Sequence, residues 1–370
     1  MSMTSAGIIS PDSPKQWEEP EQILIVRLGS MGDIIHTLPA VGALRQAFPN
    51  TRFGWVVEER WMELLCAPTC ARSGARSPQR PLVDRLHVVN TKAWRTSWTS
   101  AETWHQIAVA ISDLRGPRYP LAIDFQGAVR SALIARRSGA EVIYGAVHPR
   151  ENAASMFYSR RVFTQGAHVV EQNVSLAEAV AHRKLDLCPV EFPHDPAAER
   201  RCDEQLRQWA THDFVLLNPG AGWGAKQWPA ERYGEVARAL AQHGIASLIN
   251  FGPGEDALAK AAESAAAGAA RPVSCSLSEL IALTRRARLF IGGDTGPLHL
   301  AAAMQVPVVA IFGPTNPVRN GPYGTRSIVL RRPSSKTSHA RRVEPDAGLL
   351  EITSTEVLRA ARDLLGISHG

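Results

Sequence analysis

Asp33 sits in ILIVRLGSMGDIIHTLP (residues 23–39), directly after Gly29 and Gly32. A carboxylate at the exit of a buried strand looks onto the ligand-binding edge of a parallel sheet, so it is a candidate general base; an Asp there equally caps a helix. The same two readings apply to Asp294 in GGDTGPLHLAAA. There Thr295 and Gly296 head a helix whose hydroxyl and backbone N–H groups suit phosphate, and His299 follows, either as part of that site or as a hydrogen-bonded core histidine. Lys226 lies in the glycine loop NPGAGWGAKQWP beside two tryptophans, as a compact cation for phosphate or as a solvated one. Glu255, after Gly252 and Gly254, suits ribose hydroxyls or, more plainly, the dipole of the next helix.

These loops need a scaffold that brings their edges together. Continuous apolar runs at 23–26, 53–57, 86–89, 121–125 and 142–144 read as strands of a parallel sheet buried on both faces. Helices alternate with them: one from about Thr37, which Pro39 helps to start, one carrying Trp104, Ile107, Ala108, Ile111 and Leu114 on an apolar face, one over 129–136, and one over about 169–187. Residues 66–81, CAPTCARSGARSPQRP, have no periodicity and read as an exposed insertion. The proline-bearing stretch 188–196 is the linker and expected hinge. The second half repeats the logic, with strands at 214–217, 245–251, 289–291 and 306–312 and a closing helix at 353–365. Two Rossmann-like halves of α/β type, with a cleft between their carboxyl edges, follow from this alternation.

Composition limits the partners. At 370 residues the chain is long enough for two domains, and a formal charge of +6 with a pI near 9.3 points to anionic partners. Five scattered cysteines fit reduced thiols in a cytoplasmic protein. The polar first twenty residues carry no secretory signal, and no apolar run spans a bilayer, so membrane contact is expected to be peripheral. GSMGD lacks the third glycine of a dinucleotide fingerprint, and no Walker A, zinc-spaced or DxD metal motif occurs. No cofactor or metal is called for. The basic residues show no nucleic-acid-binding module, so nucleic acid is not an expected partner.

Taken together, GSMGDIIHTLP, NPGAGWGAKQWP, GPGED and GGDTGPLHLAAA, followed by FGPTNP, closely resemble the glycosyltransferase family 9 heptosyltransferases, in the same order over about residues 22–366. The resemblance implies a GT-B fold: a lead-in at 1–21, an acceptor domain at 22–190, an ADP-sugar domain at 191–350, and a last helix within 351–370 that packs back on the first domain. RENAASMFYSRR, FQGAVRSA and WVVEE look most like the members that move L-glycero-D-manno-heptose from ADP-heptose to a Kdo residue of Kdo-lipid A in lipopolysaccharide inner-core synthesis. No divalent ion is needed if Lys226 and a helix N-terminus neutralise the diphosphate, and the expected place of work is the cytoplasmic face of the inner membrane. By motif, Asp33 is implied as catalytic base, Lys226 with Asp294, Thr295 and Gly296 as the diphosphate site, Glu255 at the ribose, and His299 in the same motif. Lys92, Arg95, Gln126, Arg130, Arg150 and Arg160 would meet acceptor carboxylates and phosphates. The long 66–81 insertion, the basic segment RRPSSKTSHARRVEPD and the glycine loop without the threonines of well-known members depart from the family pattern. A family 9 enzyme using another acceptor, such as a heptosylated core, and a non-catalytic nucleotide-sugar binder are the alternatives.

Overall fold

A computed structural model describes residues 19–211, 213–338, 340 and 342–367. The first sheet contains β1 (Gln22–Val26), β2 (Arg52–Glu58), β3 (Arg85–Val89), β4 (Leu121–Asp124), β5 (Val142–Ala146) and β6 (Arg160–Val162). The second contains β7 (Phe214–Asn218), β8 (Ala246–Phe251), β9 (Ala270–Ser274), β10 (Leu289–Gly293), β11 (Val308–Phe312) and β12 (Ser327–Arg331). Their orders, β3-β2-β1-β4-β5-β6 and β12-β11-β10-β7-β8-β9, are one pattern used twice, and neighbouring strands pair in parallel. The chain reverses its winding direction between β1 and β4, and again between β7 and β10. Crevices at such reversals, outside the strand carboxyl ends, are where ligands bind in open α/β sheets.

Strands β6, β9 and β12 have no counterpart among the apolar runs of the sequence, for a physical reason. All three lie at sheet edges. Their sequences RRV, ARPVS and SIVLR are short and half-exposed, and Pro272 in β9 is tolerated only where one side makes no ladder.

Three further expectations are corrected. The helix after β1 runs Met31–Ala47, with Pro39 inside it, instead of starting near Thr37. Ser30 and Asp33 begin it: the Ser30 N–H donates to Asp33 Oδ2 at 3.0 Å, satisfying an end the proline cannot. This helix is buried along nearly its whole length, so it continues past the missing Pro39 N–H and its sequence periodicity is blurred. The Ala101–Arg115 helix buries Thr103 and Leu114, while Trp104 is 59% exposed. The closing helix, Ser354–Leu365, does not return to the first domain. Its Val357, Ala360 and Ala361 share a core with Val215, Leu217, Ile291, Val309 and Ile311, covering a face of the second sheet.

The chain before β1 is docked from Glu19, whose carboxylate accepts the N–H groups of Asn50 and Thr51 at 3.1 Å; residues 1–18 of the expected lead-in lie outside the described residues. The Val169–Ala181 helix packs on Met31–Ala47 and ends at His182 in a left-handed conformation, short of the expected residue 187. Irregular chain from there reaches the Pro196–Gln208 helix, and the insertion braces it: Pro78 O accepts the His194 N–H at 2.9 Å. Within the insertion, buried Arg80 gathers the carbonyls of Gly74 and Ala75 at 2.7 and 2.9 Å, together with those of Ala71 and Val83. One apolar cluster then runs from Ile23, Ile25 and Trp55 beneath the first sheet to Phe290, Leu298 and Phe312 in the second, so the two domains meet over a continuous core.

Candidate active site

On the first domain the site is built at the end of β1. Arg27, the first charged residue after the apolar run, is itself buried, and its Nη2 lies 2.9 Å from Asp33 Oδ1. Asp33 Oδ2 accepts from the Ser30 N–H and hydroxyl at 3.0 and 3.2 Å. Capping and an open carboxylate thus coexist, since an ionised carboxylate has about four acceptor sites and 35% of this side chain remains exposed. Burial raises the Asp33 pKa, but the Arg27 guanidinium and the Ser30 hydrogen bonds outweigh it and hold the carboxyl below its ordinary range. Asp33 is therefore ionised at neutral pH.

Neighbouring loops fix this arrangement. Arg27 Nη1 donates to Phe125 O, and Gln126 Oε1 accepts the Leu28 N–H at 2.8 Å. Buried Asp124 gathers the Gln126 N–H, the Ser131 hydroxyl and the Tyr158 hydroxyl at 2.8–2.9 Å. Gln126 also braces this turn: it is 7% exposed, and its carbonyl oxygen accepts the Leu28 N–H.

On the second domain three loops leave β7, β8 and β10, which are adjacent in the sheet. Lys226 Nζ lies 2.5 Å from Asp294 Oδ2 and 4.2 Å from the Trp223 ring centre. His299 Nε2 donates to Asp294 Oδ1 at 3.1 Å, and His299 Nδ1 is 3.1 Å from Nε2 of His36. Burial raises the Asp294 pKa, but His299 and Lys226 pull it far below the usual carboxylate range. Thr295 precedes the eight-residue Gly296–Ala303 helix, whose first N–H groups face the same space as Lys226. Glu255 stands over the glycine loop instead: its Oε2 accepts the Gly252 N–H at 2.8 Å, and a Cβ at Gly220 would collide with its carboxylate. The basic segment 331–346, featureless in sequence, crosses the Lys226 loop, with Ala225 N–H donating to Arg342 O at 3.0 Å and Val343 O seated where a Cβ on Gly224 would stand.

The two halves of the site meet helix to helix. A Cβ at Gly32 would come within 2.6 Å of His299, and one at Gly296 within 2.5 Å of Met31. These glycines let the Met31–Ala47 and Gly296–Ala303 helices touch, which sets Asp33 beside the Asp294–Thr295–Gly296 turn. His36 and Arg27 belong to this joint, and sequence alone did not single them out. His36, one turn beyond Asp33, is held well below the ordinary histidine range, by burial first and then by His299, His168 and Arg27, and so is neutral. The chain Lys226–Asp294–His299–His36 therefore links the cation of one domain to the helix that carries Asp33 in the other.

The other proposed acceptor residues line the rim. Lys92 and Arg95 are exposed on the Thr91–Thr96 helix after β3. Arg130 is half-exposed and donates to Thr91 Oγ1 at 2.7 Å. Arg150 is exposed and close enough to Asp33 to lower its pKa, and Arg160 is exposed on edge strand β6.

Two Rossmann-like domains facing one cleft, a carboxylate on the first and a cation beside a helix N-terminus on the second, define a glycosyltransferase of the GT-B class. The chain belongs to glycosyltransferase family 9 (heptosyltransferase), whose model matches residues 108–348. It is 30% identical over 317 residues to lipopolysaccharide heptosyltransferase 1 of Escherichia coli (strain K12), spanning 84% of this chain and 94% of that protein. To lipopolysaccharide heptosyltransferase 1 of Pseudomonas aeruginosa PAO1 it is 32% identical over 323 residues, spanning 84% and 83%. Its structure is similar to that of E. coli heptosyltransferase WaaC with ADP, with a TM-score of 0.75 at 28% identity over 93% of this chain and 99% of that one. A glycosyltransferase family 9 structure from Veillonella parvula DSM 2008 gives 0.76 at 20% identity over 95% and 99%, a likeness of fold.

Proposed function

We propose that this chain is an inverting, metal-independent heptosyltransferase that moves L-glycero-D-manno-heptose from ADP-heptose to a Kdo residue of Kdo-lipid A. The observation that carries the reading is the joint itself, which puts an ionised Asp33 on one helix beside a cation-bearing helix N-terminus in the opposite domain. The relatives named lipopolysaccharide heptosyltransferase 1 and the WaaC structure holding ADP support the donor and the product class.

In this mechanism an acceptor hydroxyl attacks the anomeric carbon from the face opposite the diphosphate. The new carbon–oxygen bond forms as the bond to the diphosphate breaks, and the hydroxyl proton passes to Asp33. A carboxylate held below its ordinary pKa is a weak base, yet the attacking alcohol becomes acidic as its oxygen bonds to carbon. A positioned base of this kind contributes roughly 10²- to 10⁴-fold. The leaving ADP gains charge, which Lys226 and the N–H groups at Thr295 and Gly296 stabilise where it accumulates. Asp294 acts here by orienting Lys226 and His299, since both its oxygens are engaged. Glu255 meets the ribose hydroxyls. Lys92, Arg95, Arg130, Arg150 and Arg160 meet the acceptor's carboxylates and phosphates. Because that acceptor is a lipid, the enzyme works at the cytoplasmic face of the inner membrane, as a peripheral protein. Among the described residues no helix is long and apolar enough to cross a membrane.

Purified protein incubated with ADP-heptose and Kdo-lipid A tests the reading by mass spectrometry of the lipid. One added heptose is expected. Transfer only to an already heptosylated core would assign the chain to a different acceptor, and ADP-heptose binding with no transfer to either would remove the enzymatic reading.

A further inference from the structure

Among the described residues, the exposed Trp, Phe and Met side chains are Trp98, Trp104, Met156 and Phe163, at 66%, 59%, 71% and 73% exposure. All four leave the carboxyl edge of the first sheet. Trp98 follows the Thr91–Thr96 helix after β3, and Trp104 lies in the first turn of Ala101–Arg115, which starts from the same edge. Met156 sits in the Asn152–Phe157 turn after β5, and Phe163 directly follows β6. Their inner neighbours Trp94, Ile134 and Phe157 pack against one shared core, which ties the β3 and β5 exits to one side of the sheet.

Strand order places β3 on one flank of β1 and β5 with β6 on the other. Four strand spacings of about 4.8 Å put the exits of β3 and β5 about 19 Å apart, on either side of the β1 exit that leads to Asp33. The same rim is cationic. Of the ten Lys and Arg in residues 92–163, Arg115, Arg118, Arg136 and Arg137 lie just before β4 and β5 at the opposite edge, which leaves Lys92, Arg95, Arg130, Arg150, Arg160 and Arg161 on the rim against Glu102 and Glu151. The other three acids of this stretch are not on the rim: Asp124 is buried, Asp113 is paired with Arg85 at the start of β3 at 2.5 Å, and Glu141 directly precedes β5. Lys92, Arg95, Arg150, Arg160 and Arg161 are all exposed.

We propose that Trp98, Trp104, Met156 and Phe163, with the cations around them, form a docking rim that seats the mouth of the first domain on an anionic lipid bilayer. The chemistry is that of an interfacial anchor: aromatic and thioether side chains enter the headgroup and acyl boundary, and Lys and Arg meet lipid phosphates. The charge of the rim selects this occupant over an uncharged apolar surface. The proposal rests on the lipid-borne acceptor argued above and adds the face and orientation: the acceptor's sugar reaches Asp33 while its acyl chains stay in the bilayer.

The test compares the full chain with a variant carrying Trp98→Ser, Trp104→Ser, Met156→Ser and Phe163→Ser, all at exposed positions outside the catalytic and acceptor-binding sets. Co-sedimentation uses phosphatidylglycerol-containing vesicles and pure phosphatidylcholine vesicles. The unaltered chain is expected to bind the anionic vesicles, less so in high salt, and the variant to lose at least about tenfold of that binding. Transfer to an acceptor in vesicles should fall in parallel, while transfer to a Kdo acceptor stripped of acyl chains stays within about twofold. Equal vesicle binding by both proteins, or none by the unaltered chain, would overturn the rim, as would a variant that changes only oligomeric state. Absence of turnover on both acceptors in the unaltered chain would instead count against the transferase reading, leaving vesicle binding to judge the rim.

Discussion

Asp33 is ionised because Arg27, buried behind it, outweighs the burial that would protonate it. A carboxylate whose folded pKa is depressed stays charged above that value and is neutralised only as pH falls through it, so the acidic limb of kcat/KM should lie below the ordinary carboxylate range. Arg27→Gln removes the charge and is expected to move that limb upward in a pH profile; an unmoved limb would mean that Asp33 does not set it. The same substitution leaves buried acceptors at Phe125 and Asp33 and should cost about 1–3 kcal/mol in denaturant unfolding. At this scale the sequence displayed Asp33, Lys226, Asp294, Thr295 and Gly296 because glycine-bearing turns flank them. It hid Arg27 and His36, whose partners lie in other elements, and His36 meets His299 across 263 residues. The brace from Gln126 to Leu28 was hidden too, because a polar residue after a strand looks the same whether it faces ligand or braces the next turn.

Between elements, the determining feature is the close approach of the Met31–Ala47 and Gly296–Ala303 helices. Gly32→Ala puts a methyl into the His299 ring, which Asp294 and His36 hold in place and which cannot swing aside freely. Overpacking of this kind costs about 1–3 kcal/mol, so thermal unfolding should shift downward and turnover should fall although residue 32 touches no substrate in the mechanism. Unchanged stability and turnover would show that the joint has slack. Buried central strands were legible as apolar runs and the glycine turns as loops. The edge strands were not, since half-exposed residues such as those of RRV carry no such run. The start of the Met31–Ala47 helix was misplaced because Pro39 signals a beginning, whereas the Ser30–Asp33 cap sets it. The place of the closing helix was not read from its own residues but taken from the GT-B resemblance, and Val357, Ala360 and Ala361 instead pack in the core of the second domain.

As a whole, the molecule is one strand order used twice, with the two reversal points turned toward each other and a continuous core between them. The duplication was legible from alternating strands and helices. The closeness of the domains was not, because it depends on the Gly32–His299 and Gly296–Met31 contacts. In the proposed mechanism, positive charge for the leaving diphosphate comes from the chain itself, through Lys226 and a helix N-terminus. Transfer should therefore persist in EDTA at close to its full rate, and loss of activity restored by added divalent cation would reverse that assignment. The division of labour between domains is the central claim, and Asp33→Ala assayed in parallel for ADP-heptose affinity and heptose transfer tests it most directly. Donor affinity within about threefold of the unaltered protein, with transfer reduced by at least roughly 10²-fold, is the predicted result; transfer at an undiminished rate would contradict it.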